Sequence, residues 1–115
     1  MIKILVCGTR MPDWFSDSYW KLVKTELERD TLPDFEIIEG CCKGSADEHA
    51  EWFAYLFGTK ITHFPATSNN YLKRNIEMVN ECDMVLAFYN GWSYGTAHTI
   101  ANAVMRGKLV TIIPI

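Results

Sequence analysis

The sequence has no long hydrophobic run and no run of basic residues. Its longest apolar stretches have the length of one strand, whereas a transmembrane helix needs about 20 apolar residues. The net charge is −3, whereas proteins that bind long nucleic acids usually present a basic face. The N-terminus has no signal-peptide core or cleavage site. We therefore expect a cytoplasmic protein with no membrane partner and no long nucleic acid as its partner.

Cysteines at metal-binding spacing and the common cofactor motifs are missing as well. The four cysteines include no CxxC pair, and adjacent Cys41 and Cys42 suit a tetrahedral zinc site poorly. We expect free thiols, no metal, and no role for His49 or His63. The GxGxxG and Walker A patterns are absent, because the first turn has one glycine and Lys43 precedes Gly44. A standard NAD or ATP site is disfavoured, and no cofactor is expected.

The sequence does contain a regular alternation of strand-like and helix-like segments. Near-continuous apolar runs are typical of parallel strands that are buried on both faces. The length of 115 residues fits one domain, residues 1–115. The order βαβαβαβαβ predicts an α/β fold, a Rossmann-like, doubly wound, three-layer parallel sheet with strand order 3-2-1-4-5. The five predicted strands are 2–7, 35–39, 60–64, 83–88 and 108–113, and the four helices are 16–29, 45–57, 69–81 and 96–106.

Apolar spacing within each helix predicts the face that it buries. Ser68 is the predicted N-cap of the third helix. The second helix carries Trp52 and Tyr55 off its apolar stripe, which indicates either a homo-oligomer contact or partial burial under a loop. We predict a homo-oligomer. The predicted buried faces are Trp20, Val23 and Leu27; Ala46, Ala50, Phe53 and Phe57; Leu72, Ile76 and Val79; and Ala97, Ile100, Ala101 and Val104.

Two glycine-bearing turns, 40–47 and 91–96, lead from predicted strands into predicted helices. Glycine lets backbone approach a ligand, and helix N-termini offer free N–H groups to anions. In strand order 3-2-1-4-5 both turns border the switch point, where ligands of such sheets bind. We predict a pocket for a phosphate-bearing small molecule. Its candidate ligand-binding residues are Gly8, Thr9, Arg10, Gly40, Cys41, Lys43, Gly44, Ser45, Asp47, Arg74, Asn75, Gly91, Tyr94, Gly95 and Thr96.

Several of these residues have a second interpretation. One interpretation of the helix face that carries Arg74, Asn75 and Met78 is ligand contact, and the other is a solvated face. Asp47 contacts the ligand or complements the helix dipole. Lys43 binds phosphate or is a solvated turn residue. Cys7, Cys41 and Cys42 suit small packing positions better than a nucleophile, and Trp92 or Tyr94 is placed to stack on a base.

The ordered set of motifs resembles the SLOG superfamily, in its small YspA/YpsA-like branch. The matching pieces span about residues 2–113: Cys-Gly-Thr-Arg at 7–10, Glu-Gly-Cys-x-Lys-Gly-x-Ala-Asp at 39–47, Lys-Arg-Asn-x-x-Met at 73–78, Asp-Met-Val-Leu-Ala-Phe at 83–88 and Gly-Thr at 95–96. The superfamily includes LOG phosphoribohydrolases, the DNA-processing protein DprA and sensor domains for nucleotide-derived signals. The resemblance implies a Rossmann-like fold with a nucleotide-type ligand at the strand ends.

The resemblance also bears on catalysis. LOG enzymes carry a catalytic Glu in the motif Gly-Gly-x-Gly-Thr-x-x-Glu, and in this sequence Thr99 stands at the position of that Glu. The Arg that precedes the motif in those enzymes does have a match here, Arg74. His98 is one position away from the missing Glu. We therefore predict no catalytic residue and a domain that binds a nucleotide-derived signalling molecule without turnover. A free-standing binder of this kind would sequester its ligand, as phage-encoded anti-defence sponges do. The alternatives are a phosphoribohydrolase or N-glycosidase of nucleoside monophosphates, and a DprA-like nucleic-acid protein.

Overall fold

A computed structural model describes residues 1–29, 34–67 and 70–115. Five strands alternate with four α-helices, and a short 3-10 turn, Asp13–Phe15, precedes the first helix. The predicted N-cap Ser68 lies outside the described residues. The elements are β1 (Ile2–Gly8), α1 (Ser16–Leu27), β2 (Phe35–Glu39), α2 (Ala46–Phe57), β3 (Ile61–His63), α3 (Tyr71–Glu81), β4 (Met84–Tyr89), α4 (Tyr94–Met105) and β5 (Leu109–Pro114).

The five strands form one parallel sheet in the order β3-β2-β1-β4-β5. β1 is central, and its Ile4 pairs with Ile37 of β2 and with Met84 of β4. The Rossmann-like α/β fold predicted from the sequence is confirmed, and so is its strand order. The carboxyl ends of β1, β2 and β4 consequently lie side by side at one edge of the sheet.

Two apolar cores sandwich the sheet. Because successive strand residues point to opposite faces, Ile4 and Val6 of β1 pack with α1 and α2, whereas Leu5 and Cys7 pack with α3 and α4. α1 fills the first core with Val23, Leu27 and also Tyr19, which the helical spacing missed. These helices complete the three layers. Among the described residues, no helix is long and apolar enough to cross a membrane.

The predicted buried face of α4 is wrong for two of its four residues, whereas Ile100 packs against the second core and Ala97 is partly buried. Val104 is 63% exposed, and Ala101 is exposed as well. The buried side of α4 instead carries two threonines, Asn102 and Ala103. Asn102 tolerates burial because its Nδ2 donates to the His98 carbonyl at 2.9 Å and its Oδ1 accepts from Arg106 at 2.7 Å. Hydrogen bonds within the helix therefore outweigh the apolar spacing on which the prediction depended.

The other predicted helix faces are partly correct. Phe57, expected in the core of α2, is half exposed at the end of that helix. In α3, Val79 is buried as predicted, but the other buried residues are Asn75 and Met78. The buried side of α3 is thus rotated toward Asn75 and Met78, for which a solvated face was one of the two interpretations.

Candidate functional site

A crevice of about 910 Å³ opens at the carboxyl ends of the strands. It lies between the turns that follow β1 and β2, the loop after β3, the first half of α3 and the first turns of α4. The sheet topology therefore brings the two glycine-bearing turns to one site, at the position that the strand order predicts. The candidate residues that line the crevice are Gly8, Arg10, Gly40, Cys41, Lys43, Gly44, Asp47, Arg74, Asn75, Gly95 and Thr96.

Four candidate residues do not line the crevice. Thr9 is buried, and its Oγ1 accepts from the Asn90 amide at 3.2 Å. Ser45 is buried as the N-cap of α2, where its hydroxyl accepts from the Asp47 amide at 3.2 Å. Gly91 forms a turn with a φ of 88°, and Tyr94 is exposed. Thr9 and Ser45 thus support the site from below.

Gly8 is required by packing at the base of the crevice. A Cβ on Gly8 would lie 2.3 Å from Tyr19 Oη, 2.9 Å from Ala46 Cβ and 3.0 Å from Phe88 Cβ. The Tyr19 hydroxyl donates to the Thr9 carbonyl at 3.0 Å, so the ring is fixed in this position. The single glycine of the first turn therefore allows α1 and α2 to pack closely on the sheet.

Arg74 connects three segments around the crevice. Its Nη1 donates to the Gly40 carbonyl at 2.5 Å and to the Phe64 carbonyl at 3.0 Å, and its Nε donates to Asn75 Oδ1 at 3.0 Å. A Cβ on Gly40 would lie 2.4 Å from Arg74 Nη1, so Gly40 provides the space for the guanidinium. Arg74 is half-buried and lines the crevice. It is therefore both a clamp on the loops and a cation that faces the crevice.

Asp47 organises the turn after β2. Its Oδ2 accepts from the amides of Gly40 at 3.0 Å and Cys42 at 3.3 Å. Burial raises the pKa of Asp47 to about 6, although these amides and the charge of Arg74 oppose the rise. Both interpretations of Asp47 remain open, because the carboxyl group sits at the start of α2 and also lines the crevice.

Positive charge is concentrated at the mouth of the crevice. Arg10 and Lys43 are exposed there. The turns that carry them are joined by a hydrogen bond from the Met11 amide to the Gly44 carbonyl at 2.7 Å. Opposite them lies the N-terminus of α4, where a Cβ on Gly95 would meet nothing within 4 Å. Cations and a helix N-terminus around open space favour an anionic group.

Thr99 lines the crevice at the position that the resemblance assigns to a catalytic Glu. It is buried, and its hydroxyl donates to the Gly95 carbonyl at 3.1 Å. His98 is not among the crevice-lining residues, and its Nε2 lies 3.2 Å from Asn102 Nδ2. The acids that line the crevice in the described part of the chain are Asp13 and Asp47. Cys7 also lines it, but burial raises the pKa of its thiol well above the usual range, which makes it a poor nucleophile.

A side-chain cluster that was not predicted from the sequence lies beside the crevice. Glu39, Cys41, Glu51 and His63 have ligand atoms that all lie within 4.8 Å of one another. Burial raises the pKa of Glu39 to about 7, and burial together with the Glu39 charge raises that of Cys41 to about 12. Glu39 and His63 end β2 and β3 and are register partners. The predicted order of these strands could have identified the pair from sequence.

The fold and the crevice define a Rossmann-like α/β protein with an open crevice at the switch point of its sheet. No family model and no curated protein matches the chain. The geometry of the crevice and the residues that line it are therefore the basis for a function.

Proposed function

We propose that the protein binds a nucleotide or a nucleotide-derived signalling molecule in the crevice and holds it without turnover. The observation that carries this proposal is the convergence of Arg10, Lys43 and Arg74 with the N-terminus of α4 on one crevice. Such groups bind phosphate through charge and free backbone N–H groups. A volume of about 910 Å³ lies at the upper end of the range for small-molecule sites.

The lack of a carboxyl group at position 99 supports binding without turnover. Cleavage of a glycosidic bond needs a carboxylate, or an equivalent, that stabilises positive charge and activates water. Thr99 instead donates its hydroxyl to the Gly95 carbonyl. A protein that retains its ligand in this way would sequester a signalling nucleotide. It would then act as a sponge or a sensor, for example in phage anti-defence.

Native mass spectrometry of the purified protein tests the proposal directly. We expect a co-purified nucleotide with an intact glycosidic bond, and calorimetry should then show its rebinding to ligand-free protein. Arg10→Ala and Lys43→Ala should each weaken rebinding by about 10- to 150-fold, since one charged hydrogen bond contributes about 1.5–3 kcal/mol. Lys21→Ala, an exposed lysine on α1, is the matched control and should rebind like the unmodified protein.

The alternatives predict different results. A phosphoribohydrolase of nucleoside monophosphates would release free base during the incubation. A DprA-like protein would bind oligonucleotides with an affinity that falls steeply with salt. Equal nucleotide affinity in Arg10→Ala, Lys43→Ala and the unmodified protein would overturn the proposed site.

We also propose that the protein forms a homo-oligomer through the exposed side of α2. Tyr55 is 88% exposed, and Trp52, Leu56 and Phe57 are also exposed. Large apolar side chains on one helix indicate a contact surface. Light scattering should give at least twice the monomer mass of 13.2 kDa, and Tyr55→Ser should lower it. A monomer mass for the unmodified protein at tens of micromolar would contradict this proposal.

A further inference from the structure

The cluster beside the crevice is built from three elements that the fold brings together. Glu39 ends β2, His63 ends β3, Cys41 lies in the turn after β2, and Glu51 lies in α2. Glu39 and His63 are register partners in neighbouring parallel strands, so the sheet itself sets their separation. Their placement therefore does not depend on a flexible surface loop alone.

Three of the six separations among the four ligand atoms match those around a tetrahedral ion. Cys41 Sγ lies 3.4 Å from Glu39 Oε1 and 3.6 Å from His63 Nδ1, and His63 Nδ1 lies 3.4 Å from Glu51 Oε1. Tetrahedral Zn²⁺ with its usual bond lengths of about 2.0–2.3 Å places neighbouring ligand atoms about 3.3–3.8 Å apart. Glu39 Oε1 also contacts His63 Nδ1 directly, and a bound ion would replace that contact.

Glu39 is held in a ligand-like orientation. Its side chain is fully buried, and its Oε2 accepts from the Cys41 amide at 2.5 Å, which leaves Oε1 facing the thiol and the imidazole. Backbone donors of this kind orient metal-binding carboxylates in proteins. Cys41 itself adopts a φ of 60°, a left-handed conformation that is uncommon for a residue with a side chain.

We propose that Glu39, Cys41, Glu51 and His63 form a binding site for Zn²⁺. A thiol and an imidazole select against Mg²⁺ and Ca²⁺, which prefer oxygen ligands, and the mixed set of oxygen, nitrogen and sulfur suits Zn²⁺. Four protein ligands fill a tetrahedral shell, which is the pattern of a structural site. The ion ties β3, a strand of three residues at the sheet edge, to β2 and α2. In the sequence, the adjacency of Cys41 and Cys42 argued against zinc, because two neighbouring cysteines are poor joint ligands. That objection does not hold for this site, because Cys42 lies outside the cluster.

Cobalt absorption and zinc calorimetry on the untagged full chain test the site. Co²⁺ in a tetrahedral site with a thiolate gives intense visible bands and a sulfur-to-cobalt charge-transfer band. We expect one ion per chain, with loss of the charge-transfer band in Cys41→Ser. Cys42→Ser is the matched control, because it removes the neighbouring thiol and should keep the band. His63→Gln and Glu51→Gln should weaken Zn²⁺ binding by more than the roughly 10–100-fold that is typical of outer-shell changes.

Thermal unfolding provides a second readout that separates metal binding from misfolding. Zn²⁺ should raise the melting temperature of the unmodified protein and of Cys42→Ser, because a ligand that binds the folded state stabilises it. His63→Gln is a change at a half-exposed side chain, so it should leave a folded protein whose melting temperature Zn²⁺ does not change. An equal Zn²⁺ shift in all three proteins, no shift in any, or a charge-transfer band that survives in Cys41→Ser would overturn the proposal.

Discussion

The two walls of the crevice both begin with glycine-bearing turns, but they are constructed differently. The packed wall consists of Gly8, Gly40, Asp47 and Arg74, and a Cβ on either of its glycines would lie under 2.5 Å from another side chain. The open wall consists of Gly95, Thr96 and Thr99 at the start of α4, and a Cβ on Gly95 would meet nothing within 4 Å. The glycines of the packed wall are thus enclosed by contacts within the protein, whereas Gly95 on the open wall faces free space.

This difference shows that the same sequence signal has two physical causes. On the packed wall, glycine is needed because side chains of the protein occupy the space that a Cβ would fill. On the open wall, the absence of a Cβ leaves room in the crevice itself. Substitutions on the packed wall should therefore change folding stability first, and substitutions on the open wall should change ligand binding first.

Gly8→Ala should have the largest effect. The new methyl group would overlap Tyr19 Oη, Ala46 Cβ and Phe88 Cβ, all in a buried core, so we expect a loss of about 3 kcal/mol in the free energy of unfolding. Gly95→Ala is the matched change on the open wall. It should leave stability unchanged or raise it by up to about 1 kcal/mol, because alanine favours helix, while it weakens nucleotide binding. Urea unfolding measures the first effect, and equal stability of the two variants would remove the distinction between the walls.

The packed wall should also give the protein a pH-dependent stability. The pKa of Asp47 is raised from 3.8 to about 6 in the folded protein, so the folded state holds a proton that the unfolded chain releases between about pH 4 and pH 6. Stability should therefore fall as pH rises through this window, by up to about 3 kcal/mol. Glu39 acts in the same direction between about pH 4.5 and pH 7, since its pKa is raised from 4.5 to about 7.

Asp47→Asn should reduce the slope of stability against pH between pH 4 and pH 6 and leave the part that Glu39 causes. Asp17→Asn, at an exposed position of α1, is the control and should keep the full slope. Urea unfolding across that range at constant ionic strength measures the slope. A slope that is identical in Asp47→Asn and Asp17→Asn would show that Asp47 does not cause the dependence.

Arg74→Ala should destabilise the fold and weaken binding together. The change removes a charged donor from the carbonyls of Gly40 and Phe64, which we expect to cost about 1.5–3 kcal/mol of unfolding free energy. Lys73→Ala removes the neighbouring exposed cation and should change stability by less than about 0.5 kcal/mol. Calorimetry below the melting temperature of Arg74→Ala then reports ligand affinity. Unchanged stability in Arg74→Ala would instead favour the interpretation of Arg74 as part of a solvated helix face.

The sequence was sufficient to predict the strand order and the place of the crevice, because alternating apolar segments allow few topologies and the switch point follows from them. It was insufficient for the buried side of α4, where Thr99 and Asn102 are stabilised by hydrogen bonds inside the helix. The predicted strand order could have paired His63 with Glu39, but nothing in the local spacing placed Cys41 and Glu51 beside them. Such contacts depend on the separation of elements in space, which local spacing does not encode.

The smallest expected effect concerns chemistry on the open wall. The unmodified protein should release no detectable base from AMP, since Thr99 has no carboxylate and the crevice acids Asp13 and Asp47 belong to other turns. Thr99→Glu places a carboxyl group in the second turn of α4, at a position that lines the crevice, and should yield a trace of free base by chromatography. Thr99→Gln has the same size without the charge and should yield none. Repeated turnover by the unmodified protein would contradict the proposal of binding without turnover. Asp47→Asn would then test whether the packed wall supplies the acid, because Asp47 is the buried carboxyl group on that side of the crevice.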